Sequence, residues 1–472
     1  PVDAFLKAKI GTAIAGSSNS EDESSFHNEV LPILREECFR CHGEKKKGGL
    51  KLNSREFALA GGDSEFPTIV PGKSNESELM ERIRTDDIDL VMPPTGDGLS
   101  EKQIAVLESW IRDGALWPAP PVDPEKLTLA PRINDAAFIR RIHLDLIGLP
   151  PTEAIVRTFL ADKDPGKRGK LIDRLLADER RADHEISEWL DLLAENPMLI
   201  NQSLNSTGPF RFFLHDALLD RKPLDRLITE LILMRGDVGR GGSAGFALAA
   251  ENDAPFAEKG HIVASAFLGI ELQCARCHDS PYHSTTQQDL YSLAAMLARK
   301  PVTVPSTSMV PAGFFEEKVR ESLIQVTLKP NTSIKPQWPF SNVTGISHGK
   351  DLERLMENPS DSRERLGALI TSPKNRRFPR VVVNRLWKRL MGAGFVEPAH
   401  DWEGRESSHP ELLDWLVHEL LSNGFDLTHV LRLIVTSDAY QRKATGQNLA
   451  AGHDDRFFNA PDPRRLTAEQ IV

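Results

Sequence analysis

Cysteine is scarce in this chain, with only four in 472 residues, too few for a disulfide-rich scaffold. No run of 18 or more apolar residues occurs, so no membrane-spanning helix is expected. A basic surplus is missing too: 58 lysines and arginines face 68 aspartates and glutamates, a formal net charge of −10. Phosphate backbones need a basic face, so nucleic acid is not an expected partner, whereas an acidic balance leaves room for a basic protein. Metalloprotease and nucleotide signatures are lacking: there is no H-E-x-x-H and no Walker loop. What is present is an ordinary globular composition, 40% hydrophobic and 27% charged, long enough for about three domains.

The four cysteines fall into two copies of one pattern, Cys38-Phe-Arg-Cys41-His42 and Cys274-Ala-Arg-Cys277-His278. Two thiols three positions apart on a helical turn can add to the two vinyl groups of one haem, and the next histidine then reaches the iron. Other uses of the pairs fit less well. A disulfide framework needs no histidine after each pair, and a four-cysteine zinc site leaves His42 and His278 without a task. A thioredoxin-like pair wants a βαβ setting, which neither copy has. The pattern therefore predicts two covalently bound c-type haems. Haem of that kind is attached outside the bacterial cytoplasm, so a periplasmic or cell-surface protein is expected.

Residues 1–24 read as an N-terminal appendage, a short helix in PVDAFLKAKI and a Gly/Ser-rich linker. A first domain spans about 25–118. It opens with an apolar-periodic helix, FHNEVLPILREECFRCH, and closes with a helix capped by Ser100, whose apolar positions are Ile104, Leu107, Trp110 and Ile111. Between them, Met92-Pro93-Pro94 sits in a rigid extended loop, which suits a thioether held opposite a haem. Met92 is the expected second axial ligand, with Met80 on the preceding helix the alternative. A proline-rich linker covers about 118–133. A helical domain follows at 134–300, then an irregular or β connector at 301–349 and a C-terminal helical domain at 350–472. The expected fold class is mainly α: a class I-like cytochrome c domain plus a larger helical body with a small β or irregular segment. The chain begins at Pro1 and ends in RRLTAEQIV, which reads as a helix start. A trimmed N-terminus and a natural protein that continues past Val472 are the expectations.

Residues 26–117 resemble the planctomycete-type cytochrome c domain, through ECFRCHG, KGGLKLNSR, IVPGKSNESEL, VMPP and WIRDGALWP. Residues 134–300 resemble the helical domain of unknown function that accompanies it, through FIRRIHLDLIGLPPT, EWLDL and ELQCARCHDSPY. Residues 361–472 resemble its C-terminal partner, through RVVVNRLWKRLMGAGFVEPAHDW, HPELLDWLVHELLSNGF and DPRRLTAEQI. The resemblance implies fold and haem more than chemistry. Relatives run DAFLKAKI directly into the helical domain, so the cytochrome domain looks inserted here and residues 2–10 are expected to pack with the second domain. Relatives often place a histidine where this chain has Ser280, and arginine-tyrosine where it has Ala194-Glu195.

Three functions fit this reading. The first is electron transfer, with Met92 and His42 on one iron and a redox partner protein or small-molecule donor or acceptor. The second is a dihaem redox enzyme, peroxidase- or oxidase-like, with an open iron on His278. The third is a cell-surface scaffold stapled by haem. The distal ligand of the second haem stays open: His184, His215, His261, Met198 and Met234 are candidates, and His283 is tethered too close to His278 to cross easily. Asp279, Tyr282 and Asp289 are candidates for holding His278 or a propionate.

Overall fold

The computed structural model describes residues 1–16, 25–43, 47–64, 66–87, 89–94, 98–117, 127–193, 207–237, 241–248, 254–310, 324–453, 456–467 and 470. The Gly/Ser-rich linker, the proline-rich segment 118–126, Ala194-Glu195 and Met198 lie outside these residues. The protein is mainly α. Two antiparallel strand pairs supplement the helices among the described residues, Gly236–Asp237 with Gly241–Gly242 and Val302–Thr303 with Ser333–Ile334. The second pair falls in the segment where a small β element was expected.

The chain forms two compact units, one of residues 11–123 and one of residues 1–10 with 124–472. In the smaller unit, helical backbone runs unbroken from Phe26–Val30 through Leu31–Ile33 and Leu34–Cys38 to Phe39–His42. Its buried positions Phe26, Val30, Ile33 and Leu34 pack with Leu79, Met80 and Ile83 of helix Glu78–Arg84 and with Leu107, Trp110 and Ile111 of helix Glu101–Arg112. Ser100 starts the last helix with a full capping box, its hydroxyl taking the Gln103 N–H while Gln103 reaches back. Trp110 donates its indole N–H to the Leu116 carbonyl at 2.7 Å, and the rings of Phe26, Trp110 and Trp117 pack on one another at tilted or edge-on angles. Each such aromatic pair adds about 0.5–1.5 kcal/mol beyond its buried area.

The larger unit is one body. Residues of 134–300 and of 350–472, which the sequence reading separates, share a single apolar cluster that includes Phe138, Ile228, Phe267, Leu293, Leu366, Phe378, Trp387 and Ile434. The cause is visible in the helices themselves. Phe267 on Pro255–Leu268 meets the Phe378 ring of Phe378–Met391 edge-on, 6.1 Å between centroids, which joins the two stretches.

Val2 and Leu6 of helix Val2–Gly16 are buried in that cluster. Asp3 and Lys9 of this helix bond to the C-terminal part. Asp3 accepts the Asp438 and Ala439 amides, each at 2.8 Å, and Lys9 donates to the Ser408 and Arg456 carbonyls at 3.0 Å. Phe5 packs on Trp415. Residues 1–10 are therefore part of the larger unit.

Candidate haem sites

The first motif ends its helix on the wall of a cavity of about 300 Å³. Cys38, Cys41, His42 and Met92 all line it, with Leu50, Leu52, Leu79, Ile83 and Leu99 making an apolar surround. Met92 is positioned by the turn after helix Glu78–Arg84, its N–H donating to the Arg82 carbonyl at 2.8 Å, and Pro93 and Pro94 continue the wall. Met80, the alternative ligand, is buried in the apolar core and does not line the cavity. Its position on the buried face of its helix explains this, since Leu79 and Ile83 leave it on the packed side. Burial, then the neighbouring Glu37 carboxylate, push the Cys38 thiol up to about 12. A thiol so held stays protonated at neutral pH, whereas a thioether has no proton to lose and suits the same apolar setting.

The residues present fit a covalent haem. His42 lines the cavity, and its Nδ1 is buried with no hydrogen-bond partner among the described residues. Two thiols, an imidazole and a thioether around one apolar cavity are the donor set of a His/Met-ligated c-type haem. Arg40, Lys47 and Arg82 also line it and would supply cations for propionates, Arg82 while paired with Glu78 at 2.9 Å.

The second motif has a different setting. Helix Pro255–Leu268 does not carry through to it. It stops at Gly269, whose φ of +61° suits glycine, and a Cβ there would lie 2.6 Å from the Trp402 ring. Cys274–Arg276 then form a short 3₁₀ turn. His278 donates its Nδ1–H to the Asp279 carbonyl at 2.8 Å, since a carbonyl can only accept. In the neutral ring this leaves the Nε2 lone pair for a metal. Cys274 and Cys277 are half-buried free thiols, so the donor set again fits haem.

The loop after His278 is fixed by polar contacts. Asp279 donates its N–H to the Gln325 carbonyl and accepts the Gln287 amide at 2.7 Å and the Thr327 hydroxyl at 2.9 Å. Tyr291 donates to the Arg276 carbonyl at 3.0 Å. Ser280 donates to His283 Nδ1 at 3.0 Å, and His283 Nε2 donates to Asp401 at 3.2 Å. A Ser-His-Asp order suggests a nucleophile, but here the Ser280 oxygen is held by the Tyr282 and His283 amides and its own N–H is spent on the Thr285 carbonyl. No oxyanion donor is left at Ser280, and the chain of bonds acts as a tether.

The candidate distal ligands disperse. His283 is engaged by Ser280 and Asp401, His215 bonds Asp183 at 3.0 Å, and Met234 is buried in the core. His184 is hydrogen-bonded to the Asp145 backbone. His261 faces Glu271 with its Nδ1 buried and unbonded, 3.6 Å from the carboxylate. Of the three residues expected near His278 or a propionate, Asp279 shapes the loop, Tyr282 projects into solvent, and Asp289 caps the next helix through Thr286. Sequence reasoning missed Asp401, although it stands in the quoted stretch EPAHDW. The signal was an aspartate inside a long family stretch, with nothing to say that it faces residue 283.

Three family models match the chain: Planctomycete cytochrome C over residues 38–96, Protein of unknown function (DUF1549) over 121–301, and Protein of unknown function (DUF1553) over 362–472. The chain carries a planctomycete-type cytochrome c domain. The first match begins at Cys38 and takes in Met92, so the planctomycete cytochrome c domain coincides with the cavity above. The family implies covalently bound haem. The second motif falls within the first domain of unknown function, and Asp401 within the second. No curated protein and no solved structure matches the chain. Among the described residues no helix is long and apolar enough to cross a membrane, and no cluster of three or more His, Cys, Asp or Glu side chains could hold a bare metal ion.

Proposed function

We propose that the protein is an extracytoplasmic dihaem cytochrome that passes electrons between a redox partner, protein or small molecule, and its two haem sites. The observation that carries this reading is the convergence of Cys38, Cys41, His42 and Met92 on one apolar cavity. Haem supplies one-electron Fe(III)/Fe(II) chemistry when bound. Cys38 and Cys41 fix it covalently, His42 and Met92 hold the metal from the cavity walls, and the leucines exclude water, which favours the less charged ferrous form. Cys274, Cys277 and His278 play the same parts at the second site, with the Asp279 carbonyl setting the His278 tautomer. The test is the intact mass of denatured protein with a pyridine haemochrome. Two haems per chain and a c-type band are expected; one haem, or none, overturns the dihaem reading.

A second reading, a redox enzyme at the second site, is favoured by one observation. The histidine nearest in sequence to that motif is committed to Ser280 and Asp401 and is not free to reach a metal. Electron paramagnetic resonance of the oxidised protein decides between them. A high-spin signal that shifts with cyanide and disappears with Cys274→Ala/Cys277→Ala supports an open site. Two low-spin signals unmoved by cyanide leave electron transfer alone.

A further inference from the structure

Two stretches that carry the family resemblance, EWLDL and RVVVNRLWKRLMGAG, take no part in either haem motif. They come from different matched domains, yet they face each other across a cavity of about 110 Å³ in the larger unit. Helix Arg180–Leu192 presents Arg181, Glu185, Glu188 and Trp189 to it, and helix Phe378–Met391 presents Arg385, Leu386 and Arg389. The spacings place each set on one helical face. Phe267, Leu427 and Leu431 make an apolar floor.

The polar side of this cavity has an excess of cations. Arg181 pairs with Glu185 at 3.3 Å, and Arg389 reaches Glu188 at 3.0 Å and Glu185 at 3.7 Å. The third guanidinium, Arg385, has no carboxylate within ion-pair distance among the described residues. It donates instead to the Ala266 carbonyl at 3.1 Å and the Ser265 carbonyl at 2.8 Å. Burial draws its pKa down to about 10, the mark of a cation kept from water without a full counter-charge. Two of its five N–H groups are used, so the fork keeps donors for an acceptor from outside. A desolvated guanidinium beside apolar walls selects a planar oxyanion with an apolar body.

We propose that this cavity binds a small organic carboxylate, its anionic head on Arg385 and its apolar body between Trp189, Leu386 and Phe267. The space accepts about eight water-sized groups, matching a monocarboxylate of about nine heavy atoms. The site is independent of the haem reading, since neither cysteine motif lines it.

The probe is benzoate, with benzamide as its uncharged match, followed by ligand-observed NMR on the full-length holoprotein. Benzoate should bind saturably and benzamide about tenfold more weakly, a factor worth one charged contact. Arg385→Gln should weaken benzoate about tenfold with the haem spectrum unchanged. Because Arg385 also holds two carbonyls, Leu386→Trp provides a second route. It fills the cavity, keeps every charge, and should abolish binding while Tm holds. Equal binding of benzoate and benzamide, no saturation, or benzoate binding untouched by Leu386→Trp would overturn the proposal.

Discussion

The same five-residue pattern occurs in two unlike settings. At Cys38–His42 it closes a helix on an apolar cavity, and no hydrogen bond orients the histidine through Nδ1. At Cys274–His278 it sits on a short turn after a helix break, where the histidine is oriented by a carbonyl and the following loop is tied down by polar contacts. The difference teaches that the cysteine spacing sets which thiols and imidazole stand together, while segments distant in sequence decide what surrounds them. Near the first site that segment ends in a methionine framed by prolines. Near the second it brings an aspartate that engages the neighbouring histidine.

The largest effect that sharpens this comparison comes from removing the thiols. Cys38→Ala/Cys41→Ala and Cys274→Ala/Cys277→Ala should each remove one covalent haem, half of the total, by intact mass. If either pair leaves the haem content unchanged, the two motifs are not equivalent in kind. Next is Met92→Ala, which should abolish the weak methionine-to-iron absorption and lower the potential of the first haem, because a ligand that stabilises ferrous iron is lost. An unchanged spectrum would remove the asymmetry between the sites.

A smaller effect is expected at Asp401→Asn. It weakens a charged hydrogen bond to His283 at a side chain 9% exposed, and should cost about 1–3 kcal/mol in urea unfolding. Burial raises the Asp401 carboxyl, but hydrogen bonds from His283 and Arg405 outweigh it and hold the pKa below the usual carboxylate range. A depressed pKa contributes fully above the unfolded value and is lost as pH falls through the folded one. The variant should therefore be less stable near neutrality and less sensitive to acid than the parent. A parallel pH–stability curve would show that the tether carries no load. The smallest effect belongs to Met80→Leu, a near-isosteric change in the core of the smaller unit. It should cost less than about 1.5 kcal/mol and leave the methionine absorption in place.

The sequence made some of this legible for physical reasons. Cysteine is rare enough that two C-x-x-C-H patterns stand out, and the Ser100 cap and the proline frame of Met92 are local signals that act within a few residues. The helix break before the second motif was hidden, because Gly269 lies inside a continuous apolar run and its reason is the Trp402 ring. The bond between His283 and Asp401 spans 118 positions, and nothing local encodes it. The shared core of 134–300 and 350–472 was hidden for the same cause: each helix shows an apolar face, but not which partner covers it.

Residues 1–10 have a consequence for how the chain is made. Lys9 meets its carbonyl partner 399 positions later, and Asp3 waits still longer for the amides of Asp438 and Ala439. During synthesis the first helix therefore emerges with its buried side uncovered, and the whole cytochrome unit can fold before the surface that receives Val2 and Leu6 exists. The partners of this segment therefore exist only on chains synthesised past residue 439, well after both cysteine motifs have emerged.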